Sequence, residues 1–142
     1  MTNAPVRLLG APGKASGENP GRSPLQKACH PSLVGVVRLE SLPDSGNSYR
    51  FDGVDHAAPV SFFVLHTRPG EGPGLHQHPY AETFVIQEGQ ATFTIGDETI
   101  EAGAGDIVVA PAETPHAFVN SGSGVLRSVN IHPVAEMETV WL

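Results

Sequence analysis

Short apolar stretches, each bounded by turn-forming residues, recur along the chain from residue 33 onwards. Between residues 91 and 95 apolar side chains alternate with threonine, which is the two-residue period of a strand with one buried face. Gly96 and Asp97 then form a two-residue hairpin turn. We find no apolar period typical of a capped helix, so the pattern predicts an all-β fold. The predicted strands cover residues 33–39, 49–51, 60–67, 91–95, 98–102, 106–110, 117–120 and 125–131.

The two ends of the chain differ from this central pattern. Residues 1–32 are rich in Pro, Gly, Ser and Asn and have no apolar period, which predicts an arm that is ordered only where it lies on the domain or on a partner subunit. Residues 33–142 are predicted to form a single domain. The apolar strand over 60–67 is expected to be covered on both faces. Trp141, in the apolar C-terminal tail, is expected to dock on a sheet or across a dimer.

Composition narrows the function classes. The net charge is −7, and after residue 32 there are four arginines and no lysine against fourteen of the fifteen carboxylates. Nucleic acids and anionic membrane surfaces are therefore poor partners, because both require a basic footprint. The one cysteine, Cys29, cannot form an internal disulfide, and we expect both it and His30 to be incidental. With no apolar stretch long enough for export or for a membrane span, we expect a cytoplasmic protein.

Candidate chemistry is concentrated between Gly70 and Gly89. Side chains two apart in a strand share a face, so His76 and His78 point together, and Glu82 keeps the same parity. Two imidazoles and a carboxylate suit a divalent first-row metal that keeps open positions for substrate. The alternative is a polar strand that carries these residues by chance.

This stretch and a second one from Gly105 to Asn120 resemble the two motifs of the cupin family. The first motif is filled by Gly70, His76, His78, Glu82 and Gly89. The second is filled by Gly105, Pro111, His116 and Asn120. Glu113 stands where the family usually has glycine. Because glutamate tolerates a positive φ poorly, we expect either a turn of another type, which we favour, or a Glu113 side chain that reaches over the pocket mouth.

The resemblance implies a jelly-roll barrel that holds one divalent transition metal with His76, His78, Glu82 and His116. Fe, Mn, Ni, Zn, Co and Cu are not distinguished by this ligand set. Small cupins are usually homodimers, and we expect a homodimer here.

Strand parity predicts the rest of the site. Phe84 and Ile86 share the parity of Glu82, and Phe118 and Asn120 share that of His116, so these four residues are predicted to line a mainly apolar pocket. Asn120 has an alternative role in bonding backbone at the strand end, and we favour it. Tyr80 is expected to flank the metal or to cover the loop.

Two residues are candidates for proton transfer. Glu82 can take a substrate proton as well as bind metal, and His132 can act as a general base if it faces the cavity. The alternative for His132 is an ordinary position at the pocket rim.

The function predicted from these features is a metal-dependent dioxygenase that acts on a small enolisable or phenolic molecule. One alternative is a non-catalytic module that binds a small ligand or a metal. Another is a sugar isomerase or epimerase, although phosphorylated sugars need Arg or Lys clamps that the predicted domain largely lacks.

Overall fold

The computed structural model describes residues 35–142. Two single-turn 3-10 helices lie at Leu39–Ser41 and Gly53–His56. The strands of this part of the chain are β1 Ser48–Phe51, β2 Ser61–Thr67, β3 His76–Gln77, β4 Glu82–Glu88, β5 Gln90–Ile95, β6 Glu98–Gly103, β7 Ile107–Ala110, β8 His116–Asn120, β9 Leu126–His132 and β10 Val140–Trp141.

The strands form two five-stranded antiparallel sheets. In the first sheet the order is β1-β2-β9-β4-β7, and in the second it is β10-β3-β8-β5-β6. Neighbours in a sheet are often far apart in sequence, as where β4 pairs with β9, so the chain crosses repeatedly between the two layers. This is the double-sheet jelly roll, and it confirms the predicted all-β fold.

The core lies between the two sheets. Strand β4 alternates buried and less buried positions, and its inward side chains Phe84 and Ile86 are almost fully buried. Phe84 makes an edge contact with Phe93 of β5, at 5.0 Å between ring centroids, and Phe93 lies 5.4 Å from Phe118 of β8. These aromatic contacts join the two layers and fill one end of the barrel with side chains.

Most predicted strands agree with the structure to within one residue, but the first does not. Residues 35–38 are not in a strand, and Leu39 begins a 3-10 turn. Val36 is 84% exposed. A β-branched run forms a strand only if another strand can pair with it. Among the described residues, β1 pairs along its length only with β2, so it does not pair with residues 35–38. The predicted arm over residues 1–32, with Cys29 and His30, lies outside the described residues.

Two further expectations concern β2 and the C-terminal tail. Strand β2 is buried or partly buried along its whole length, between β1 and β9. Trp141 does dock on a sheet, because β10 pairs with β3 and places Trp141 opposite His76, although the indole remains 65% exposed. Among residues 35–142 there is no helix of the length and apolarity needed to cross a bilayer.

Candidate metal centre

Four predicted ligands come together at one end of the barrel. His76 is in β3 directly opposite His116 of β8, His78 follows β3, and Glu82 begins β4 in the other sheet. All four side chains are buried, and one ligand atom from each lies within 4.8 Å of the others. The two sheets therefore close on a cluster of three imidazoles and one carboxylate that could bind one metal ion.

The backbone fixes the orientation of each imidazole. The Nδ1 atoms of His76, His78 and His116 lie 2.7, 2.7 and 2.8 Å from carbonyl oxygens of the chain. The carbonyls belong to Gly74, Glu138 and Thr114 respectively. A carbonyl oxygen only accepts, so each Nδ1 must carry the proton and donate it. Each neutral ring then directs the lone pair of Nε2 toward the centre of the cluster, which is the arrangement that a metal-binding histidine needs.

The atoms that face the centre of the cluster, three Nε2 atoms and a carboxylate oxygen, are all acceptors when the rings are neutral. Their chemistry shows whether these residues fit a metal. Oε2 of Glu82 lies 2.8 Å from Nε2 of His116 and 2.9 Å from Nε2 of His78. Nε2 of His76 lies 3.8 Å from the same oxygen. With neutral rings, lone pairs would face each other at these distances, so a cation is required among them. A divalent metal fits this donor set.

The electrostatics of the cluster centre on Glu82. Burial by itself would raise the pKa of the Glu82 carboxyl, but contacts with His116, His132, His76 and His78 lower it far below its usual range. The carboxylate therefore stays ionised inside the barrel. Burial lowers the pKa of His78, but the contacts with Glu82 and with the Glu138 carbonyl outweigh it and raise the pKa overall. A negative, buried site of this kind favours a bound cation.

A fourth imidazole faces the other oxygen of the same carboxylate. Nε2 of His132, at the end of β9, lies 3.3 Å from Oε1 of Glu82, but the two groups are not aligned as a hydrogen bond. On its other side, Nδ1 of His132 is 3.1 Å from the hydroxyl of Tyr80. That hydroxyl accepts from the backbone N–H of Glu138 at 3.1 Å and lies 3.2 Å from its carbonyl oxygen. Burial raises the pKa of Tyr80, so the phenol stays protonated.

A cavity of about 670 Å³ opens from the cluster. Within residues 35–142, no lysine or arginine lines this cavity. The residues around it are Ser45, Asn47, Ser48, Phe63, Leu65, Thr67, Gly70, Glu71, Gly72, Pro73, His76, His78, Glu82, Phe118, Asn130, His132, Thr139 and Trp141. The metal cluster and His132 thus form one end of a mainly neutral and apolar chamber.

Only one of the five predicted pocket residues lines this cavity. Phe118 does so, whereas Phe84 and Ile86 lie in the core. Asn120 donates to the carbonyls of Thr67 and Gly124, which is the backbone role that we favoured. Tyr80 stacks on His78 behind the cavity. The reason is that the inner face of β4 beyond Glu82 packs against β5 and β8, while the barrel opens toward β1, β2 and β9.

The turn at Glu113 is not of the type that we expected. Glu113 has φ of 58°, so the turn keeps the left-handed backbone for which the cupin motif uses glycine. Its backbone N–H donates to the carbonyl of His78 at 2.8 Å. The side chain is exposed, reaches Gln77 at 3.5 Å and does not line the cavity. This hydrogen bond ties the turn between β7 and β8 to the His78 segment.

Several cavity residues were missed by the sequence reasoning. Phe63 and Leu65 come from β2, where near-continuous apolar sequence conceals which parity faces inward. Asn130 shares the parity of His132 on β9, and this was the available indication that it faces the cavity. Trp141 reaches the cavity because β10 pairs with β3, with the indole centroid 5.0 Å from the ring of His76. No local pattern predicts that long-range pairing.

Comparison with known proteins agrees with this geometry. A family profile described as the cupin domain matches residues 63–132. A solved structure concerned with the Mn(II) centres of Bacillus subtilis oxalate decarboxylase has a TM-score of 0.67 and 24% identity, and the match covers 73% of this chain and 30% of that one. For a formate complex of Lactobacillus farciminis oxalate decarboxylase the TM-score is 0.62 and the identity 21%, over 70% of this chain and 32% of that one.

The match spans about a third of the length of those enzymes, so the likeness concerns the fold. No curated protein matches the chain. The domain match and the jelly roll around a three-histidine, one-glutamate cluster lead to the same conclusion. Residues 63–132 of this chain form a cupin domain.

Proposed function

We propose that the protein is a metal-dependent oxidoreductase, a dioxygenase, of a small enolisable or phenolic molecule. The observation that carries the proposal is the junction of two features, a buried cluster of metal-type ligands and a mainly apolar chamber that opens directly from it. Phe63, Leu65, Phe118 and Trp141 provide apolar wall, and none of the polar side chains around the cavity within residues 35–142 is a lysine or an arginine. Such a chamber suits a flat organic molecule that places one oxygen at the cluster.

His76, His78, Glu82 and His116 would hold the metal. When bound, a divalent ion would supply a Lewis-acid and redox centre with positions open to substrate oxygen and dioxygen. The chain itself contributes the shape of the chamber, exclusion of water by the apolar walls, and control of protons near the cluster.

Proton control is assigned to His132 and, secondarily, to Glu82. Nε2 of His132 is buried, has no hydrogen-bond partner among the described residues, and faces the cavity beside Glu82. Its Nδ1 atom is held by the Tyr80 hydroxyl at 3.1 Å. A ring oriented in this way can accept a proton from a substrate hydroxyl at Nε2. Glu82 remains a second candidate because its carboxylate is ionised and has an oxygen, Oε1, on the side of His132.

The side chains that line the cavity argue against strongly anionic substrates. The two solved structures compared above are oxalate decarboxylases, and oxalate is a small dianion. Within residues 35–142 the cavity has no Lys or Arg to pair with a second carboxylate or a phosphate, and Glu71 adds negative charge at its wall. We therefore propose neither a dicarboxylate nor a sugar phosphate as the substrate.

We also propose that the active form is a homodimer, joined through the outer face of the first sheet. One row of paired residues crosses that face from Ile107 through Val85, Val129 and Val64 to Tyr49. A parallel row runs from Val109 through Thr83, Ile131 and Phe62 to Phe51. Ile107 and Val109 are 66% and 52% exposed. An apolar sheet face of this extent favours burial against a second copy.

An oxygen-electrode screen tests the proposed activity. Protein loaded with Fe, Mn, Ni or Cu is offered flavonols, diketones, catechols and enediols, and at least one pair should consume oxygen. His132→Gln should lower turnover roughly 100-fold while the bound metal is unchanged, because it removes a general base and not a ligand. Glu82→Gln should lower turnover while leaving much of the metal in place. If no substrate class gives oxygen uptake while a ligand still raises the melting temperature, the protein is a binding module and the proposal fails.

A further inference from the structure

We propose that the side-chain amide of Asn130 is a specificity-determining donor that binds an acceptor oxygen of the substrate. The inference rests on the proposed function and extends it, because it adds a second polar group to the substrate class. Asn130 lies on β9 two residues before His132, so both side chains face the barrel interior. Their Cα atoms are separated by about 7 Å along the strand. The amide therefore lies one pair of residues along β9 from His132, on the same face of the strand.

In this structure the amide of Asn130 turns its oxygen toward Ser128. Ser128 donates its hydroxyl to Oδ1 of Asn130 at 3.0 Å, and both residues are buried. With Oδ1 engaged in this way, the NH₂ group is the free end of the amide. Asn130 is 4% exposed and lines the cavity, yet within the described part of the chain Nδ2 has no hydrogen-bond partner. Nε2 of His132 is the one fully buried side-chain polar atom without a partner in the described part of the chain, so Nδ2 of Asn130 is open to the cavity, where a ligand oxygen can accept from it.

Asn120 provides an internal comparison. Its Nδ2 donates to the carbonyls of Thr67 and Gly124, at 2.9 and 2.8 Å, and its Oδ1 accepts from the backbone N–H of Gly122 at 2.9 Å. That asparagine is fully satisfied by backbone and holds a loop together. Asn130 has one partner, the Ser128 hydroxyl at its Oδ1 atom. Its amide therefore does not hold a loop together as that of Asn120 does.

The surroundings of Asn130 define the ligand that it fits. Across the sheet, Asn130 is paired with Phe63 of β2 on one side and Phe84 of β4 on the other. Phe63 lines the chamber, whereas Phe84 belongs to the core. The donor thus lies between two phenylalanines across the sheet, and a hydrogen bond to it would discriminate between ligands with and without an acceptor oxygen. The matching substrate is a small flat molecule with an ionisable oxygen for the metal and a carbonyl oxygen for Asn130, such as an aromatic hydroxyketone.

The test compares two probes of nearly equal size, 3-hydroxyacetophenone and 3-ethylphenol, which differ in the carbonyl oxygen. Their affinities for the Zn²⁺-loaded protein are measured by calorimetry, because zinc excludes redox turnover. The wild-type protein should prefer the ketone roughly three- to tenfold, the net value of one hydrogen bond. Asn130→Leu should abolish the preference by lowering affinity for the ketone alone. Ser128→Ala should reduce the preference, and Ser128→Thr, which keeps the hydroxyl, should restore it.

Zinc content and melting temperature identify variants that remain folded. If Asn130→Leu does not fold, Asn130→Asp replaces it, and the carboxylate should also eliminate the preference for the ketone. The proposal is overturned if a folded Asn130 variant keeps the wild-type preference, or if the wild-type protein shows no preference. The outcome is separable from oxygen uptake. Selective binding without oxygen consumption would contradict only the dioxygenase, whereas oxygen consumption with unchanged selectivity in Asn130→Leu would contradict only this role.

Discussion

The backbone carbonyl of Glu138 lies 2.7 Å from Nδ1 of His78, a residue sixty positions earlier in the chain. The C-terminal segment that contains Glu138 and β10 therefore orients one ring of the metal cluster. The same backbone unit contacts the hydroxyl of Tyr80, which in turn contacts His132. One short segment thus supports both a metal ligand and the proposed general base.

This relationship predicts that removal of residues 138–142 weakens metal binding. Without the Glu138 carbonyl, the His78 ring loses the partner that fixes its tautomer, and loss of such a partner typically lowers metal affinity roughly 10- to 100-fold. The measurement is a competition titration of Zn²⁺ or Co²⁺ against a chromogenic chelator. Trp141→Ala is the matched control, because it removes the indole near His76 and leaves the Glu138 carbonyl in the chain. Equal affinities for the truncated and full-length proteins would rule out the orienting role.

The left-handed backbone of Glu113 predicts a stabilising substitution. A non-glycine residue at φ of 58° bears a steric cost that glycine avoids, so Glu113→Gly should stabilise the fold by about 1 kcal/mol and raise Tm by roughly 3 °C. Glu113→Ala is the control, since it removes the contact with Gln77 but keeps the strained backbone. Thermal unfolding of the three proteins provides the comparison. The account of this turn is contradicted if the glycine variant is no more stable than the alanine variant.

The apolar outer face of the first sheet predicts which substitutions disrupt the dimer. Ile107→Glu places a charge at the end of one apolar row and should shift the protein to monomer at micromolar concentration, as measured by light scattering. Val119→Glu serves as the control, because Val119 is 37% exposed on β8 in the other sheet. A wild-type monomer, or a dimer unaffected by Ile107→Glu, would remove the basis for this interface.

Local sequence was sufficient for most of the strands and for the shared face of His76 and His78, for a physical reason, whereas His116 was added to the cluster by the resemblance to the second cupin motif. Strand parity is a property of adjacent residues, so it brings His76 and His78 to one face without knowledge of the fold. The arrangement of the cavity could not be read in this way. Phe84 has the parity of Glu82, but whether an inward side chain meets core or cavity depends on which strands lie opposite. For Phe84 these are β5 and β8, and for Phe63 it is the open side of the barrel.

Two other differences have the same origin in long-range contacts. The β-branched run around Val36 lacks a partner strand among the described residues, and propensity alone does not form a strand. At Glu113, residue preference indicated another turn type, but the hydrogen bond to the His78 carbonyl holds the left-handed conformation. In both cases the deciding interaction involves residues distant in sequence.

The metal content of the purified protein is the most direct measure of whether the four converging side chains form a metal centre. Elemental mass spectrometry of protein from metal-replete medium should find about one divalent first-row ion per chain, as expected for a single four-ligand site. His116→Ala should lose most of that metal, because it removes one of the converging Nε2 atoms. His66→Ala, whose ring contacts Arg127 away from the cluster, should retain it. A wild-type protein without metal even after reloading, or a His116→Ala variant that holds as much metal as the wild type, would contradict the account.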